Sequence, residues 1–176
     1  NAIMLELRKQ DCKERGDMAQ GKTNAMRILD SKKIKYELRT YDSNDGKIDG
    51  VSVAQKINRG SGAVFKTLVT RGNSQQIYVF IIPADDELDL KKAAKAAGEK
   101  KIEMVPVKDI QKLTGYIRGG CSPVGMKKLY PSFIDMKAQS QEKIIVSGGK
   151  IGIQIELNTE DLAQVIQANL EDICKS

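Results

Sequence analysis

The stretch Val64–Ile82 reads VFKTLVTRGNSQQIYVFII. Val64–Thr70 and Ile77–Ile82 are rich in β-branched and aromatic residues, and Arg71-Gly72-Asn73-Ser74 between them has the composition of a turn, so the segment predicts two adjacent antiparallel strands. Lys66 falls inside the first strand. Strand alternation puts it on one face with Val64 and Leu68, opposite Phe65, Thr67 and Val69. Lysine is rarely fully buried without a partner, which leaves two readings open: a side chain snorkelling at a sheet edge, or one facing a cleft.

Working outward toward the N-terminus, Met26, Ile28 and Leu29 have helical spacing within Thr23–Lys33, with Thr23 or Asn24 able to cap. Ile34, Tyr36 and Leu38 then alternate with charged residues in a half-buried strand ending at Tyr41. Asp42–Gly46 reads as a turn and Val51–Asn58 as a short helix. On the other side, Leu88–Ala97 is the strongest helix by propensity, and Lys101–Val105 is a short strand. Val107–Thr114 is a helix stopped by Gly115. Phe133–Met136, Ile144–Val146 and Ile151–Leu157 follow as strands, the last two joined through a turn at Ser147-Gly148-Gly149-Lys150. Asn158-Thr159-Glu160-Asp161 caps a final helix, Leu162–Leu170. Roughly seven strands and five helices without a strict βαβ rhythm predict an α+β domain with one mixed, curled, barrel-like sheet and surrounding helices.

The chain has 176 residues, 40% hydrophobic and 30% charged, a composition that suits one globular domain. We place that domain at residues 22–176, and read residues 1–21 as an N-terminal arm whose first three residues, ahead of Met4, resemble an expression remnant. With 29 Lys+Arg against 23 Asp+Glu the net charge is +6, which favours an anionic partner. Cys12, Cys121 and Cys174 are odd in number and far apart, the pattern neither of a disulfide framework nor of a zinc site. No metal and no cofactor is expected, and a reducing cytoplasm fits. No apolar run approaches the roughly 20 residues of a membrane span. Histidine is absent, which removes Ser-His-Asp and Cys-His catalysis.

Gly16–Thr23 matches the phosphate-loop pattern GxxxxGK[ST]. A working phosphate loop follows a buried strand, whereas Asp11-Cys12-Lys13-Glu14-Arg15 cannot form one. The match is read as a decoy. A different loop, Thr114–Gly125 (TGYIRGGCSPVG), packs glycines and a proline around small polar residues. Gly119 and Gly120 can adopt positive φ and bare the main chain, while Pro123 restrains Ser122. Such a loop is either a structural turn or a cradle of N–H groups for a carbonyl oxygen.

The sequence resembles the YbaK/EbsC family. The resemblance rests on Lys22-Thr23-Asn24-Ala25, Tyr41-Asp42, Val64–Val69, Leu90–Lys95, Thr114-Gly115-Tyr116, Gly119–Lys128 and Ser147–Lys150, in order, from about Lys22 to the C-terminus. Members are Cys-tRNA(Pro) deacylases related to the editing domain of bacterial prolyl-tRNA synthetases. The resemblance implies an enzyme that acts on the acceptor 3′ end of aminoacyl-tRNA, with prolyl-tRNA synthetase as its partner. The loop Gly119–Pro123 would present N–H groups to the aminoacyl carbonyl, making Lys66, Gly119 and Gly120 the catalytic candidates. Tyr41, Thr67, Cys121, Ser122, Pro123, Ser147 and Gln154 would shape the substrate pocket. The family's chemistry is substrate-assisted, with the thiol of the misattached cysteine attacking its own ester, so Cys121 is read as a small packing residue and not a nucleophile. Two departures stand out: Ile151 where many members have Arg, and Asp49 where some have an aromatic residue. The alternatives are an editor of another mischarged amino acid, such as alanine, that uses water, and a non-catalytic module that holds tRNA or synthetase.

Overall fold

The run Ile77–Ile82 has no polar face to turn to water, and it becomes a strand covered on both sides. A computed structural model describes residues 21–60 and 62–176. Its elements in chain order are α1 (Asn24–Ser31), β1 (Tyr36–Thr40), α2 (Gly50–Lys56), β2 (Phe65–Gly72), β3 (Ile77–Pro83), α3 (Leu90–Ala97) and β4 (Ile102–Met104). They continue with α4 (Val107–Thr114), β5 (Ser132–Asp135), a 3-10 turn (Met136–Ser140), β6 (Lys143–Lys150), β7 (Ile153–Asn158), α5 (Thr159–Val165) and β8 (Asn169–Glu171). Except for Gly21, the N-terminal arm read as residues 1–21 lies outside the described residues, and so does Cys12.

β2 and β3 pair antiparallel from Phe65↔Pro83 to Arg71↔Ile77, as the opening stretch requires. β4 joins the far edge of β2 at Thr70–Gly72, while β5 and then β8 add in parallel beyond β3, giving the five-stranded order β4-β2-β3-β5-β8. A second sheet, β1-β7-β6, is antiparallel throughout. One core lies between the sheets, where Phe65, Val79, Ile81 and Ile134 meet Ile144, Val146, Ile155 and Leu157. α1 and α5 close this core with Ala25, Leu29 and Leu162. The other face of β3 packs Phe80 and Ile82 with Ala93 and Ala94 of α3, and the Phe80 and Phe133 rings stack at 5.4 Å. Among the described residues no helix is long and apolar enough to cross a membrane.

The α+β class holds, but the expected single curled, barrel-like sheet does not form. Two sheets are present and neither closes. The reason lies where β2 meets β6: Val64 and Ile145 form one isolated parallel bridge, with Ile145 N–H donating to Ala63 O at 2.9 Å. Past that point β2 follows its ladder with β3 and β6 follows its ladder with β7, so the strands part.

Two local readings also shift. Ser147-Gly148-Gly149-Lys150 is not the hairpin turn; it belongs to β6, where the register slips between Ser147 and Lys150, and the chain reverses at Ile151-Gly152. A side chain from outside holds this irregular stretch, since Thr23 Oγ1 donates to Gly148 O at 2.5 Å while accepting from Met26 N–H as the cap of α1. The last helix stops at Val165 and does not reach Leu170. Gln167 turns left-handed at φ 52, and Asn169–Glu171 then pairs with the open parallel edge of β5.

Candidate active site

The parting of the sheets leaves a seam. β4 covers β2 only from Thr70 onward, so at Phe65–Leu68 the strand is paired on its β3 side alone. Between this edge and the β6–β7 hairpin lies a cleft of about 590 Å³. β2 contributes Lys66 and Thr67, the β6–β7 pair Ser147↔Gln154 contributes both its members, and the loop after α4 contributes Arg118, Gly119 and Cys121. Ile48, Asp49 and the first turn of α2 form the remaining wall. Lys56, at the end of α2, fixes the approach to that wall: its Nζ donates to Asp42 O, Asp45 Oδ1 and Lys47 O at 2.6, 2.7 and 2.9 Å.

Lys66 is therefore a cleft-facing lysine, half-buried and without an ion-pair or hydrogen-bond partner among the described residues. Thr67 Oγ1 and Gln154 Oε1 are enclosed and have no hydrogen-bond partner, and Gln154 as a residue is only 6% exposed. Asp49 caps α2, accepting from Ser52 N–H at 3.1 Å and Ser52 Oγ at 2.7 Å. The Ser52 hydroxyl, followed by its N–H, holds this carboxyl below the usual range, so it is ionised at neutral pH. The cleft thus combines free cations with unsatisfied acceptors, a polarity that suits a ligand bearing both kinds of group.

The glycine loop divides into two roles. Gly119 adopts φ +85, the conformation that bares its main chain to the cleft, and a Cβ there would meet Ile48 Cδ1 at 2.6 Å. Gly120 differs from the sequence reading. Its φ is not positive, and its N–H donates to Ile117 O at 3.0 Å, so it is not an available oxyanion donor. What it provides is closeness: a Cβ at Gly120 would lie 2.8 Å from Ile151 N and 3.0 Å from Lys150 C. The N–H groups of Gly119 and Cys121 have no acceptor among the described residues.

Of the residues expected at the site, Lys66, Thr67, Gly119, Cys121, Ser147 and Gln154 line one cleft, whereas Tyr41, Gly120, Ser122 and Pro123 do not. Ser122 and Pro123 are the buried body of the loop, with Ser122 Oγ accepting from Val124 N–H. Tyr41 follows β1; its N–H donates to Gly152 O, and its enclosed hydroxyl has no partner. Arg118 was missed. The signal was present as a lone cation directly before the left-handed glycine, inside a loop read for its backbone alone. Burial pushes the Cys121 thiol up to about 11, with Thr114 Oγ1 at 3.8 Å, which fits packing and not nucleophilic attack. Lys22 of the phosphate-loop decoy is held by Asp30 at 2.6 Å, and Thr23 is a helix cap. Among the described residues no group of His, Cys, Asp or Glu has the arrangement of a metal site.

Residues 49–165 match the model of the aminoacyl-tRNA editing domain, a span that contains the lining positions from Asp49 through Gln154. An Enterococcus faecalis protein carrying the provisional name Cys-tRNA(Pro)/Cys-tRNA(Cys) deacylase EbsC is 46% identical over 154 residues, which is 88% of this chain and 94% of that protein. A proline–tRNA ligase of Brachyspira hyodysenteriae is 29% identical over 93 residues, 53% of this chain and 16% of the ligase. Among solved structures, that of a candidate trans-editing enzyme for prolyl-tRNA synthetase superposes with a TM-score of 0.76 at 20% identity, covering 87% of this chain and 96% of the other.

Proposed function

The chain belongs to the aminoacyl-tRNA editing domain family, and from that premise we propose that it clears Cys-tRNA(Pro) formed in error, acting in trans beside prolyl-tRNA synthetase in the cytoplasm. One observation carries the reading: an unpartnered lysine, a left-handed glycine and unpartnered N–H groups converge on a single cleft in a chain without histidine.

In this reading the 3′-terminal ribose and its ester enter the seam between the sheets. Lys66 holds the anionic backbone next to the ester, and the N–H groups of Gly119 and Cys121 receive the carbonyl oxygen as it becomes an oxyanion. The substrate's own thiolate attacks the carbonyl carbon. The S–C bond forms, the bond from that carbon to the ribose oxygen breaks, and the proton lost by the thiol ends on the ribose through solvent. The products are tRNA and a cyclic thiolactone. With a reference pKa near 8.5, about a tenth of such a thiol is ionised at pH 7.5, so the protein's contribution is to hold it against the carbonyl. Cys121, buried and raised to about 11, does not compete as a nucleophile.

The test is single-turnover deacylation of Cys-tRNA(Pro), Ala-tRNA(Pro) and Ser-tRNA(Pro) with the released product trapped and identified. Loss of the cysteine ester with thiolactone release, abolished in Lys66→Met, supports the proposal. Preferential loss of the alanine or serine ester would make water the nucleophile and the protein a different editor. Salt-sensitive tRNA binding without turnover would leave a binding module.

A further inference from the structure

We propose that the cleft reads the free α-ammonium group of the esterified amino acid, through Asp49, Gln154 and Thr67, and so refuses aminoacyl-tRNA whose amine is blocked or missing. The inference rests on the deacylase reading above and adds to it the group by which the amino acid is recognised.

Three acceptors line the cleft on elements that come from different parts of the chain. Gln154 is on β7, Thr67 on β2, and Asp49 immediately precedes α2. Gln154 Oε1 and Thr67 Oγ1 are enclosed and unpartnered, although a buried acceptor is ordinarily matched by a donor. Asp49 is the sole carboxylate among the described lining residues, and the two hydrogen bonds from Ser52 leave a further lone pair on each of its oxygens. Of the remaining polar groups, Lys66, Arg118 and the N–H groups of Gly119 and Cys121 are donors, and the Ser147 hydroxyl already accepts from Gly149 N–H at 3.3 Å.

An aminoacyl ester has the complementary inventory. Its carbonyl oxygen and neighbouring phosphate accept, which matches the donors. On the amino-acid side the strong donor is the α-ammonium, with three N–H bonds and a positive charge. A ribose hydroxyl or a thiol offers one weaker donor and no charge, and neither would call for an ionised carboxylate in the same cleft as two neutral acceptors. The enclosed Gln154 and Thr67 oxygens are desolvated, so an analogue that lacks the donor leaves them unpaired and is discriminated against, while Asp49, exposed at the cleft wall, adds the negative charge.

Three acceptor-stem minihelices test this, charged with cysteine, with N-acetylcysteine, and with 2-hydroxy-3-mercaptopropanoate, which keeps the thiol and the size while replacing the amine by a hydroxyl. Each enzymatic rate is divided by the spontaneous hydrolysis rate of the same ester, since the ammonium itself activates its ester. The expected result is that this ratio falls by about 100-fold on the hydroxy ester and at least as far on the N-acetyl ester. In Asp49→Asn, which keeps a capping oxygen for α2 but loses the charge, and in Gln154→Leu, the ratio of amine-ester to hydroxy-ester acceleration shrinks by about tenfold or more. Equal acceleration of amine and hydroxy esters by the wild-type protein would overturn the inference while leaving the deacylase reading intact. So would an undiminished preference in both variants. Failure to cleave the cysteine ester at all would remove the deacylase reading, and this inference with it. The wild-type comparison stands even where a variant fails to fold.

Discussion

Gly120→Ala separates the two things a glycine can do in the 115–125 loop. The added Cβ would sit 2.8 Å from Ile151 N, 3.0 Å from Lys150 C and 3.1 Å from Lys150 Cα. Ordinary contact begins near 3.4 Å, so the approach is about half an ångström too close, and every contacted atom is main chain. None can rotate away. Because Gly120 is not left-handed, no conformational penalty is added, and the effect is overpacking at about 1–3 kcal/mol. For a chain of this length that corresponds to a fall in melting temperature of roughly 3–10 °C. The relief available is a shift of the loop away from the β6–β7 hairpin, which separates Gly119 and Cys121 from Ser147 and Gln154 across the cleft. A displacement near 1 Å in a positioned site can cost about 100-fold in rate. Calorimetry and single-turnover deacylation of Cys-tRNA(Pro) measure the two effects. Unchanged melting temperature and rate would refute the packing argument. Rescue by Ile151→Ala would also refute it, since shortening that side chain leaves its N–H in place.

Three further outcomes are expected. Lys66→Met should lower kcat/KM by at least about 100-fold with little change in thermal stability, because the ammonium has no described protein partner to lose. Cys121→Ala should retain turnover within a few-fold, and the native thiol should resist alkylation at pH 8. The Cys121 thiol is raised from 9.0 to about 11 by burial, so the stability its neutral form contributes is complete below pH 9 and is lost as pH rises toward 11. The part of the fall in stability across that window that is due to Cys121, equivalent to about 2–3 kcal/mol by denaturant midpoints, should be missing in Cys121→Ala, while the part due to Cys174, raised from 9.0 to about 12 by burial, remains. Thr23→Ala removes both the cap of α1 and the bond to Gly148 O, a loss of about 1–2 kcal/mol visible as a lower melting temperature, which Thr23→Ser should largely restore.

What the sequence made legible follows from the range over which each feature is determined. The β2–β3 hairpin was readable because alternation, turn composition and a continuous apolar run all lie within 19 residues. The bounds of α4 were readable because Gly115 ends it locally at φ +85. Three features depend on distant partners and were not. Ser147–Lys150 looks like a turn until Thr23 is seen holding Gly148, and Leu170 looks like the end of a helical stripe until β5 offers it an edge. Gly120 looks like an amide donor until Ile117 O is found occupying its N–H. The site divides in the same way. Lys66 and Gly119 carry local marks of their place in the cleft, an isolated charge in an apolar strand and a glycine in a Gly-Pro loop. Arg118 joins the cleft only when separate loops meet across the seam, and Asp49, visible in the sequence only as a departure from the family pattern, is seen there as a cap of α2.

The failure of the sheet to close is itself connected to the proposed chemistry. A closed barrel would have paired the edge of β2 at Phe65–Leu68 with β6 and filled the interval with a hydrogen-bond ladder, leaving Lys66 and Thr67 no cleft to line. The single Val64↔Ile145 bridge holds the two sheets in register at one point and lets them separate beyond it. The shared core below, from Phe65 through Ile155, keeps the gap from collapsing. In the proposed reading, a chain without imidazole relies on a rigid opening that fixes a reactive substrate against charged and N–H groups already in position. The seam supplies that opening from the packing of the fold, and the residues that hold it open, Gly120 against the hairpin and Thr23 against Gly148, touch none of the reacting atoms.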